Sequence, residues 1–432
     1  MSESNIFFEK GLAQTTPFPL GIEVERAEGL YVYKKDGSRI MDFVSGVGVS
    51  NLGHGNARIR EAIHAQVDKH LHTMVYGEFI QEAQDNAAKS LLKLLPAELN
   101  CCYFVNSGTE ANEAAIKLVK RVTGRKEIVS FVGSYHGSTT GSMAISANEV
   151  KKRNFRPLMP GVNFIRLNNW EDLDFITEKT AGVILETIQG DAGVRIPNEL
   201  YLHALKNKCE EVGALLVFDE IQCGMGRTGK AFAFEHFGVV PHAITLGKAL
   251  GGGMPIGCLV SSRENMRELS QNPFLGHIST FAGHPVACAA AHAFLEQIHD
   301  EELLKHAEQI GQFIEEKLSQ HERVIEIRRK GLFFAIDMES AEVVQQVVEE
   351  NLRQGLLSFW FLSCPWSFRI APPLTITMEE AEQGVAIILK SMDDTTRCDD
   401  TFGDDRRADD TTRCDDTFGD DRNADDAARG DN

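Results

Sequence analysis

The sequence lacks the features that mark a membrane, secreted or metal-cluster protein. No window of its 432 residues approaches the roughly 18 apolar residues of a membrane-spanning helix. The N-terminus, MSESNIFFEK, has neither the basic start nor the apolar stretch of a secretory signal. The nine cysteines form no CxxC pair, which favours reduced, buried thiols over zinc ligands or disulfides. We therefore expect a cytoplasmic protein with no membrane partner and no bound metal.

The chain also lacks an excess of basic over acidic side chains. The chain has 44 basic and 63 acidic side chains and a net charge of −19. Residues 393–432 hold fifteen Asp and six Arg, so they contribute −9 and leave −10 on the first 392 residues. This charge disfavours nucleic acid as a partner and suits a small charged substrate. The length allows two domains, since domains usually run from about 50 to 250 residues.

The acidic tail, residues 393–432, is a sixteen-residue unit repeated with a single difference. DDTTRCDDTFGDDRRA is followed by DDTTRCDDTFGDDRNA and a shorter fragment. Only Phe402 and Phe418 are large and apolar. Two such residues cannot offset an ordering cost of roughly 1–2 kcal/mol per residue, so we expect disorder. The alternatives are an acidic interaction tail or a calcium site, although the unit lacks the glycine and glutamate placement of an EF-hand loop.

The body of the chain alternates short β-rich runs with helical patterns, which predicts an α/β fold with a mostly parallel sheet covered by helices. The seven runs span residues 101–106, 127–133, 163–167, 183–187, 214–220, 242–248 and 256–262. After residue 290, helical stretches surround short strands, which predicts a smaller α+β domain. We predict a large domain over 51–290, a small C-terminal domain over 291–392 that the segment 1–50 joins, and the separate tail.

Polar residues follow four of the predicted strands at the point where each strand ends. Ligands of open α/β sheets bind beyond the carboxyl ends of the strands. Residues 107–109 follow the first strand, Glu186 ends the fourth, Asp219 the fifth and Lys248 the sixth. We therefore predict that these side chains converge on one ligand site.

The segment SGTEANEAAIKLVK, which begins at Ser107, has the properties of an anion site. Ser107 and Glu110 have the spacing of a capping box before a strong helix. Free backbone N–H groups, two hydroxyls and the positive helix end suit a phosphate, and Gly108 allows close backbone approach. An ordinary helix N-cap is the alternative interpretation of this segment.

The segment GMGRTG, residues 224–229, formally matches a dinucleotide-binding pattern, and with Lys230 it nearly matches a phosphate loop. Ala231 replaces the required Ser or Thr, and no acidic residue lies about 20 positions further on. We interpret these glycines as part of a turn.

Asp219 and Lys248 are informative as a pair. Taken singly, Asp219 is explained as a cap or ion-pair partner and Lys248 as a surface residue. Together with a phosphate site they supply what pyridoxal 5′-phosphate (PLP) requires, which is a lysine amine for a Schiff base and an acid to hold the pyridinium proton.

These residues resemble those of the class III, fold-type I PLP-dependent aminotransferases, which include acetylornithine, ornithine and 4-aminobutyrate aminotransferases. The resemblance covers nearly all of residues 15–390 and leaves out the tail. It is strongest in NLGH (51–54), VNSGTEANEAAIKL (105–118), FDEIQCGMGRTGKAFAFEHFGV (218–239), LGKALGGGMPIG (246–257), STFAGHPVACAAA (279–291) and RIAPPLTIT (369–377). It implies the fold-type I PLP transferase fold, with a seven-stranded sheet in the large domain.

The resemblance also implies roles for the matching residues. Lys248 resembles the lysine that forms the Schiff base with PLP and then moves a proton between substrate and cofactor. Asp219 resembles the partner of the ring nitrogen. Thr280 resembles the threonine that reaches the cofactor phosphate of the neighbouring subunit, which implies a homodimer with shared active sites. The other matches are Ser107, Gly108 and Thr109 at the phosphate, Tyr135 on the ring face, His136 beside the ring, Gln222 at the phenolic oxygen, and Glu186 at the acidic position of the family's E-x-x-Q-G segment.

Substrate choice depends, by the same resemblance, on three further positions. Arg369 occupies the position whose guanidinium grips the carboxylate of 2-oxoglutarate or glutamate in two hydrogen bonds. Asp191 stands where many members have a glutamate that masks this arginine while the amine donor is bound. Because Asp is one methylene shorter, we expect a weaker switch or none.

Ser138 replaces an arginine that holds the donor carboxylate in acetylornithine and ornithine members. Arg153 or Arg156 from the following loop is one candidate to substitute for that arginine, although we prefer to interpret both as solvated loop cations. Otherwise the donor is a diamine, a lysine-like compound or another ω-amine.

We therefore predict a PLP-dependent aminotransferase that moves a distal amino group from an amino acid or amine to 2-oxoglutarate, giving glutamate. An acetylornithine-, ornithine- or 4-aminobutyrate-like donor fits, and the sequence does not select among them. An aminomutase or decarboxylase of the same fold is one alternative. A cofactor-bound scaffold whose acidic tail recruits a partner is the other.

Overall fold

A computed structural model describes residues 11–74 and 76–395. Its strands are β1 (Val24–Glu28), β2 (Tyr31–Lys34), β3 (Arg39–Asp42), β4 (Cys101–Val105), β5 (Glu127–Phe131), β6 (Val162–Ile165), β7 (Thr180–Glu186), β8 (Leu215–Asp219), β9 (Ala243–Leu246), β10 (Gly257–Ser261), β11 (Glu326–Lys330), β12 (Phe333–Asp337), β13 (Leu356–Leu357), β14 (Phe359–Trp360) and β15 (Ser367–Ile370). Its α-helices are α1 (Ser45–Gly48), α2 (Ala57–Lys69), α3 (Glu82–Lys93), α4 (Gly108–Thr123), α5 (Thr140–Ala144), α6 (Glu149–Lys152), α7 (Glu199–Val212), α8 (Arg263–Arg267), α9 (Pro285–Ile298), α10 (Glu301–Leu318), α11 (Ala341–Arg353) and α12 (Met378–Asp394).

The central sheet has seven strands in the order β4-β10-β9-β8-β7-β5-β6. All seven predicted runs form strands, and the mostly parallel sheet is confirmed. Strands β5 to β9 run parallel, whereas β10 is antiparallel to both β4 and β9. The antiparallel strand follows from chain length, because the ten residues between β9 and β10 are too few for a helical crossover.

Helices cover both faces of this sheet, which explains why its inner strands are apolar along their whole length. Strand β7 turns Ile184 towards the alanine-rich face of α4, and it turns Val183 and Leu185 to the opposite face, where α7 and α9 pack. Helix α7 ends at Gly213, whose left-handed φ of 69° suits a glycine C-cap. The side chains on both faces of these strands therefore pack against helices, and the polar groups lie at the strand ends.

Two smaller sheets lie outside the large sheet. Strands β11, β12, β15 and β14 make an antiparallel sheet, while β1, β2 and β3 form a second sheet that β13 joins in parallel. Leu30, Met41 and Phe43 from the N-terminal part share a core with side chains of α10, α11 and α12. On this shared core we propose that the N-terminal strands belong to the small domain. Of the predicted tail, only Asp393 to Thr395 lie within the described residues.

Two absences hold for the part of the chain that the structure describes. No helix there combines the length and the hydrophobicity that crossing a bilayer requires. The same residues contain no group of three or more His, Cys, Asp or Glu placed to hold a metal ion. All seven cysteines within the described ranges are free thiols, and five of them are buried.

Candidate active site

Three strand ends lie side by side at the carboxyl edge of the large sheet. Glu186 at the end of β7 pairs in register with Asp219 at the end of β8, and Asp219 pairs with Thr245 of β9. Lys248 follows three residues after Thr245, and the charges of Glu186 and Asp219 act on its amine. The structure thus brings the predicted lysine and both carboxylates to one place.

Lys248 begins a 3₁₀ turn, Lys248–Gly251, and has a positive φ of 47°. Such a backbone conformation is uncommon for a residue with a side chain and is found most often at functional sites. Burial, helped by the charge of Arg369, lowers the pKa of Lys248 from 10.5 to about 8. Near pH 8 about half of the Lys248 side chains are therefore neutral amines, the form that attacks a carbonyl.

The carboxylate of Asp219 is held by three donors. Its Oδ2 accepts a hydrogen bond from His136 Nδ1 at 2.7 Å and from Asn112 Nδ2 at 2.8 Å, and its Oδ1 accepts from the backbone of Ile221 at 3.0 Å. A carboxylate has about four acceptor sites, so Asp219 can accept a further N–H. His136 Nε2 is buried and has no hydrogen-bond partner among the described residues.

Asn112 is a site residue that the sequence reasoning missed. Its side-chain NH₂ also donates to the carbonyl of His136 at 2.7 Å, and its oxygen accepts from the hydroxyl of Thr245 at 2.8 Å. Asn112 therefore fixes Asp219 and His136 relative to strand β9. The signal was present in the sequence, because Asn112 is a polar residue on the alanine-rich face of α4 that packs on the sheet.

Glu186 anchors the segment that holds Tyr135 and His136. Its two carboxylate oxygens accept hydrogen bonds from the backbone N–H of Tyr135 at 2.9 Å and of Gly190 at 2.8 Å. Complete burial raises the pKa of Glu186 to about 7. The ring of Tyr135 is partly exposed, and its hydroxyl lies 3.2 Å from the Ser138 hydroxyl.

Helix α4 starts at the predicted anion site. Ser107 is its N-cap and accepts from the backbone of Glu110 at 3.3 Å. The predicted capping box is wrong in its second half, because Glu110 accepts from the backbone of Asn106 at 2.6 Å and not from Ser107. The first N–H groups of α4 have no partner within the helix, as at any helix start.

Glycines allow two chain segments to pack closely at the start of α4. A Cβ on Gly108 would lie 2.8 Å from the Ile221 side chain, and a Cβ on Gly247 would lie 3.2 Å from the Cα of Gly108. The hydroxyl of Thr109 lies 2.6 Å from that of Ser142. The two chain segments meet only because glycine stands at both contacts.

Two predicted cofactor residues remain to be placed. Gln222 lies close to the group around Lys248, whereas Thr280 does not. Gln222 follows β8 and lies beside Gly190, where a Cβ would come within 2.4 Å of its Oε1. Thr280 is exposed, and its carbonyl accepts from the ring of His72 at 3.0 Å. No hydrogen bond of the described residues joins the Thr280 side chain to the group around Lys248.

Arg369 of β15, in the small antiparallel sheet, is buried, and its charge acts on Lys248. Its Nη2 donates to Asp191 Oδ1 at 3.3 Å, and its guanidinium lies 4.4 Å from the ring centre of Phe361. Burial lowers the pKa of Arg369, and its Nε has no hydrogen-bond partner among the described residues. Asp191 thus reaches Arg369 despite its short side chain, but through a single long hydrogen bond.

The two arginines considered as replacements for an arginine at position 138 lie elsewhere. Arg153 is exposed, and Arg156 is paired at the surface with Glu149 at 2.7 Å. The cation that does reach this part of the site is Lys151, 3.6 Å from Asp191. Sequence reasoning missed Lys151 because its neighbour Lys152 has the same charge and the pattern does not distinguish them.

The segment GMGRTG forms turns, as predicted, and its arginine connects the two domains. The buried Arg227 donates through Nη1 to the carbonyls of Leu332 at 3.0 Å and Pro372 at 2.6 Å, and through Nη2 to the side chain of Asn51. Burial lowers the pKa of Arg227 to about 9. The interpretation of this segment as a turn is confirmed, and Arg227 joins the turn to the C-terminal part of the chain.

The fold and the site define a fold-type I transaminase. The family model of the class-III aminotransferases matches residues 13–392. The chain belongs to this family, whose members are PLP-dependent enzymes. Membership favours the predicted enzyme over the cofactor-bound scaffold.

Curated relatives agree with this assignment. The acetylornithine aminotransferase of Archaeoglobus fulgidus is 36% identical over 371 residues, which span 85% of this chain and 95% of the relative. The putrescine aminotransferase of Pectobacterium atrosepticum is 36% identical over 409 residues, which span 90% of this chain and 86% of the relative.

Solved structures show the same fold. The ornithine aminotransferase of Toxoplasma gondii superposes with a TM-score of 0.84 at 27% identity and covers 91% of this chain and 95% of its own. A second structure of the ornithine aminotransferase from that organism is described with PLP at the active site, and it has a TM-score of 0.83 at 27% identity, with coverage of 90% and 94%.

The residues present fit PLP. Asp219 has acceptor capacity left for a ring N–H, and the buried amine of Lys248 forms no hydrogen bond with the described residues. The start of α4 has backbone N–H groups without partners in the helix, which suit a phosphate because helix starts bind anions. Asp219, Lys248 and the start of α4 are thus chemically suited to the ring nitrogen, the aldehyde and the phosphate of PLP.

Proposed function

We propose that this enzyme moves the distal amino group of an amino acid or amine to 2-oxoglutarate and so forms glutamate. The observation that carries this proposal is the buried Arg369, which lies close enough to lower the pKa of Lys248 and keeps donor capacity beyond its single bond to Asp191. A planar guanidinium in this state is suited to bind a carboxylate bidentately.

The chain's own residues support a proton-transfer reaction at this site. PLP, when bound, supplies an electron-accepting ring that stabilises negative charge on the substrate carbon. Lys248, with a pKa of about 8, can take up and return a proton near neutral pH. Asp219 would hold a proton on the ring nitrogen, while His136 and Asn112 keep its carboxylate in one orientation.

The names of the relatives support a distal amino group. Acetylornithine, ornithine and putrescine, which appear in those names, all have an amino group at the end of a carbon chain. This chain has Ser138, which brings no charge, at the position that holds an arginine in acetylornithine and ornithine members. We therefore leave the donor open between an ω-amino acid and a diamine.

The donor proposal predicts a specific pattern of turnover. With 2-oxoglutarate as acceptor, we expect at least one of acetylornithine, ornithine, 4-aminobutyrate, lysine and putrescine to give glutamate in a one-to-one ratio with the donor consumed. The measurement is glutamate by amino-acid analysis, together with carbon dioxide release. Glutamate without carbon dioxide supports transamination, and with acetylornithine, 4-aminobutyrate or putrescine, whose free amino groups are all distal, it supports transfer of a distal amino group. Product formation without any 2-oxo acid, or with carbon dioxide, would indicate the aminomutase or decarboxylase instead.

We also propose that the enzyme is a homodimer with shared active sites, located in the cytoplasm. Thr280 lies on an exposed segment whose Phe281 packs against the ring of His72, and residues 71–74 and 76–80 beside it also expose apolar side chains. Large exposed apolar patches mark protein interfaces. The exposed apolar side chains of these two segments are Leu71, Met74, Phe79, Ile80, Phe274, Leu275, Ile278 and Phe281.

The proposed location in the cytoplasm is supported by the cysteines. The free thiols of the described residues suit a reducing compartment.

The shared site predicts the effect of Thr280→Ala. We expect sedimentation equilibrium to give twice the chain mass for wild type and variant alike. The variant should bind PLP roughly 10-fold more weakly, because a hydrogen bond to a charged phosphate is lost. Thr123→Ala, in the last turn of α4 and away from the exposed segment, serves as the matched control. A monomeric wild type, or unchanged PLP affinity in Thr280→Ala, would contradict the shared site.

A further inference from the structure

Lys151 of α6 places a second cation at the carboxylate end of the site. Its stem is partly exposed, but its Nζ is shielded from solvent and forms no hydrogen bond with the described residues. The ammonium lies 3.6 Å from Asp191 Oδ2 and 5.9 Å from the ring centre of Tyr135. A shielded ammonium is costly unless hydrogen-bonding partners compensate for lost water.

Asp191 is engaged by other donors and does not fully balance this cation. Its Oδ1 accepts from the backbone of Leu362 at 3.2 Å and from Arg369 at 3.3 Å, and its Oδ2 accepts from the Ser363 hydroxyl at 2.9 Å. One carboxylate therefore faces two cations, Lys151 and Arg369. Burial lowers the pKa of both, as expected for cations that lack full compensation.

The backbone donor of Leu362 and the hydroxyl of Ser363 also hold Asp191 in place. A carboxylate held by two groups outside the ion pair is less free to swing away from its arginine. The charge of Glu186 also acts on Arg369, so the cation that an arriving anion would neutralise is Lys151, and Asp191 need not be displaced.

We propose that Lys151 is a substrate-binding, specificity-determining residue that acts with Arg369 to hold a substrate carboxylate, and so takes over a task that Ser138 cannot perform. This inference rests on the proposed function. It assigns to the site a preference for substrates with at least one carboxylate remote from the reacting amino group. It also explains why neither Arg153 nor Arg156 is needed near the site.

Binding of glutarate, a dicarboxylate that cannot react, tests this proposal directly. We expect Lys151→Met in the PLP-loaded full-length enzyme to raise the Kd of glutarate roughly 10- to 100-fold in titration calorimetry, the range for loss of a charged hydrogen-bond partner. The KM for glutamate should rise by a similar factor with little change in kcat. Lys151→Arg should retain most of the affinity because it keeps the charge.

Two controls separate binding from structure. Lys179→Met changes an exposed lysine in the turn before β7, at the opposite edge of the sheet, and should leave glutarate affinity unchanged. Lys151→Gln provides a second neutral variant if the Met variant does not fold. A glutarate Kd within twofold of wild type in the folded neutral variants would overturn the proposal, as would a loss of kcat at unchanged KM. Absence of glutamate turnover in the wild type would instead count against the proposed function, because glutarate binding is measured independently.

Discussion

Lys248→Ala should reduce glutamate formation by roughly 1,000-fold or more and abolish covalent attachment of PLP. A positioned general base alone contributes about 10²- to 10⁴-fold, and Lys248 is also the nucleophile that binds the cofactor. Its buried amine, with a pKa of about 8, has no replacement in alanine. The measurements are steady-state glutamate formation and, after borohydride reduction, the mass of the peptide that contains position 248.

The control for this variant is Lys230→Ala, which removes an exposed lysine from the turn that connects the domains. It should keep wild-type turnover, and in it the cofactor label should remain on Lys248. If Lys248→Ala transaminated at the wild-type rate, or if the label were found on another lysine, the assignment of Lys248 would be wrong. Loss of turnover together with loss of the label would support Lys248 both as the residue that attaches PLP and as the residue that transfers the proton.

Asp219→Asn should leave PLP attached to Lys248 but lower kcat by about 10²- to 10⁴-fold. The substitution removes the negative charge that would keep a proton on the ring nitrogen, and charge stabilisation of this kind is usually a large part of catalysis. Asparagine also has only one acceptor oxygen, whereas Asp219 accepts from His136, Asn112 and the backbone of Ile221. Its NH₂ group would therefore face another donor.

Two measurements define this result. The borohydride label on Lys248 reports attachment, and single-turnover kinetics with an excess of donor report the chemical step. Asp174→Asn, the same substitution at an exposed position, should change neither. A kcat within about threefold of wild type in Asp219→Asn would refute the role of this carboxylate. Failure to attach PLP would show that Asp219 shapes the site before it acts in the reaction.

Much of the site could be predicted because parallel strands end together. Once β7, β8 and β9 are recognised from their apolar runs, Glu186, Asp219 and Lys248 fall at one edge without further information. The fold class was predictable for the same reason, since alternating strands and helices allow few arrangements. The direction of β10 was missed, although the ten residues that separate it from β9 already indicate an antiparallel neighbour.

The substrate end of the site could not be derived from local patterns. Arg369 meets Asp191 across 178 positions of sequence, and that contact depends on how the small domain docks. Both lysines of the short helix α6 turn inward, but Lys151 lies beside Asp191 whereas Lys152 donates to the carbonyl of Ser146, and the sequence pattern does not distinguish them. Strands β1 to β3 were also missed, since β1 is mostly exposed and lacks an apolar run.

The contacts of Arg227 couple the two ends of the candidate site. This residue follows the strand that ends at Asp219, and its guanidinium donates to the carbonyl of Pro372, three residues beyond Arg369. The distance between Asp219 and Arg369 therefore depends on a buried side chain that forms no hydrogen bond with either of them.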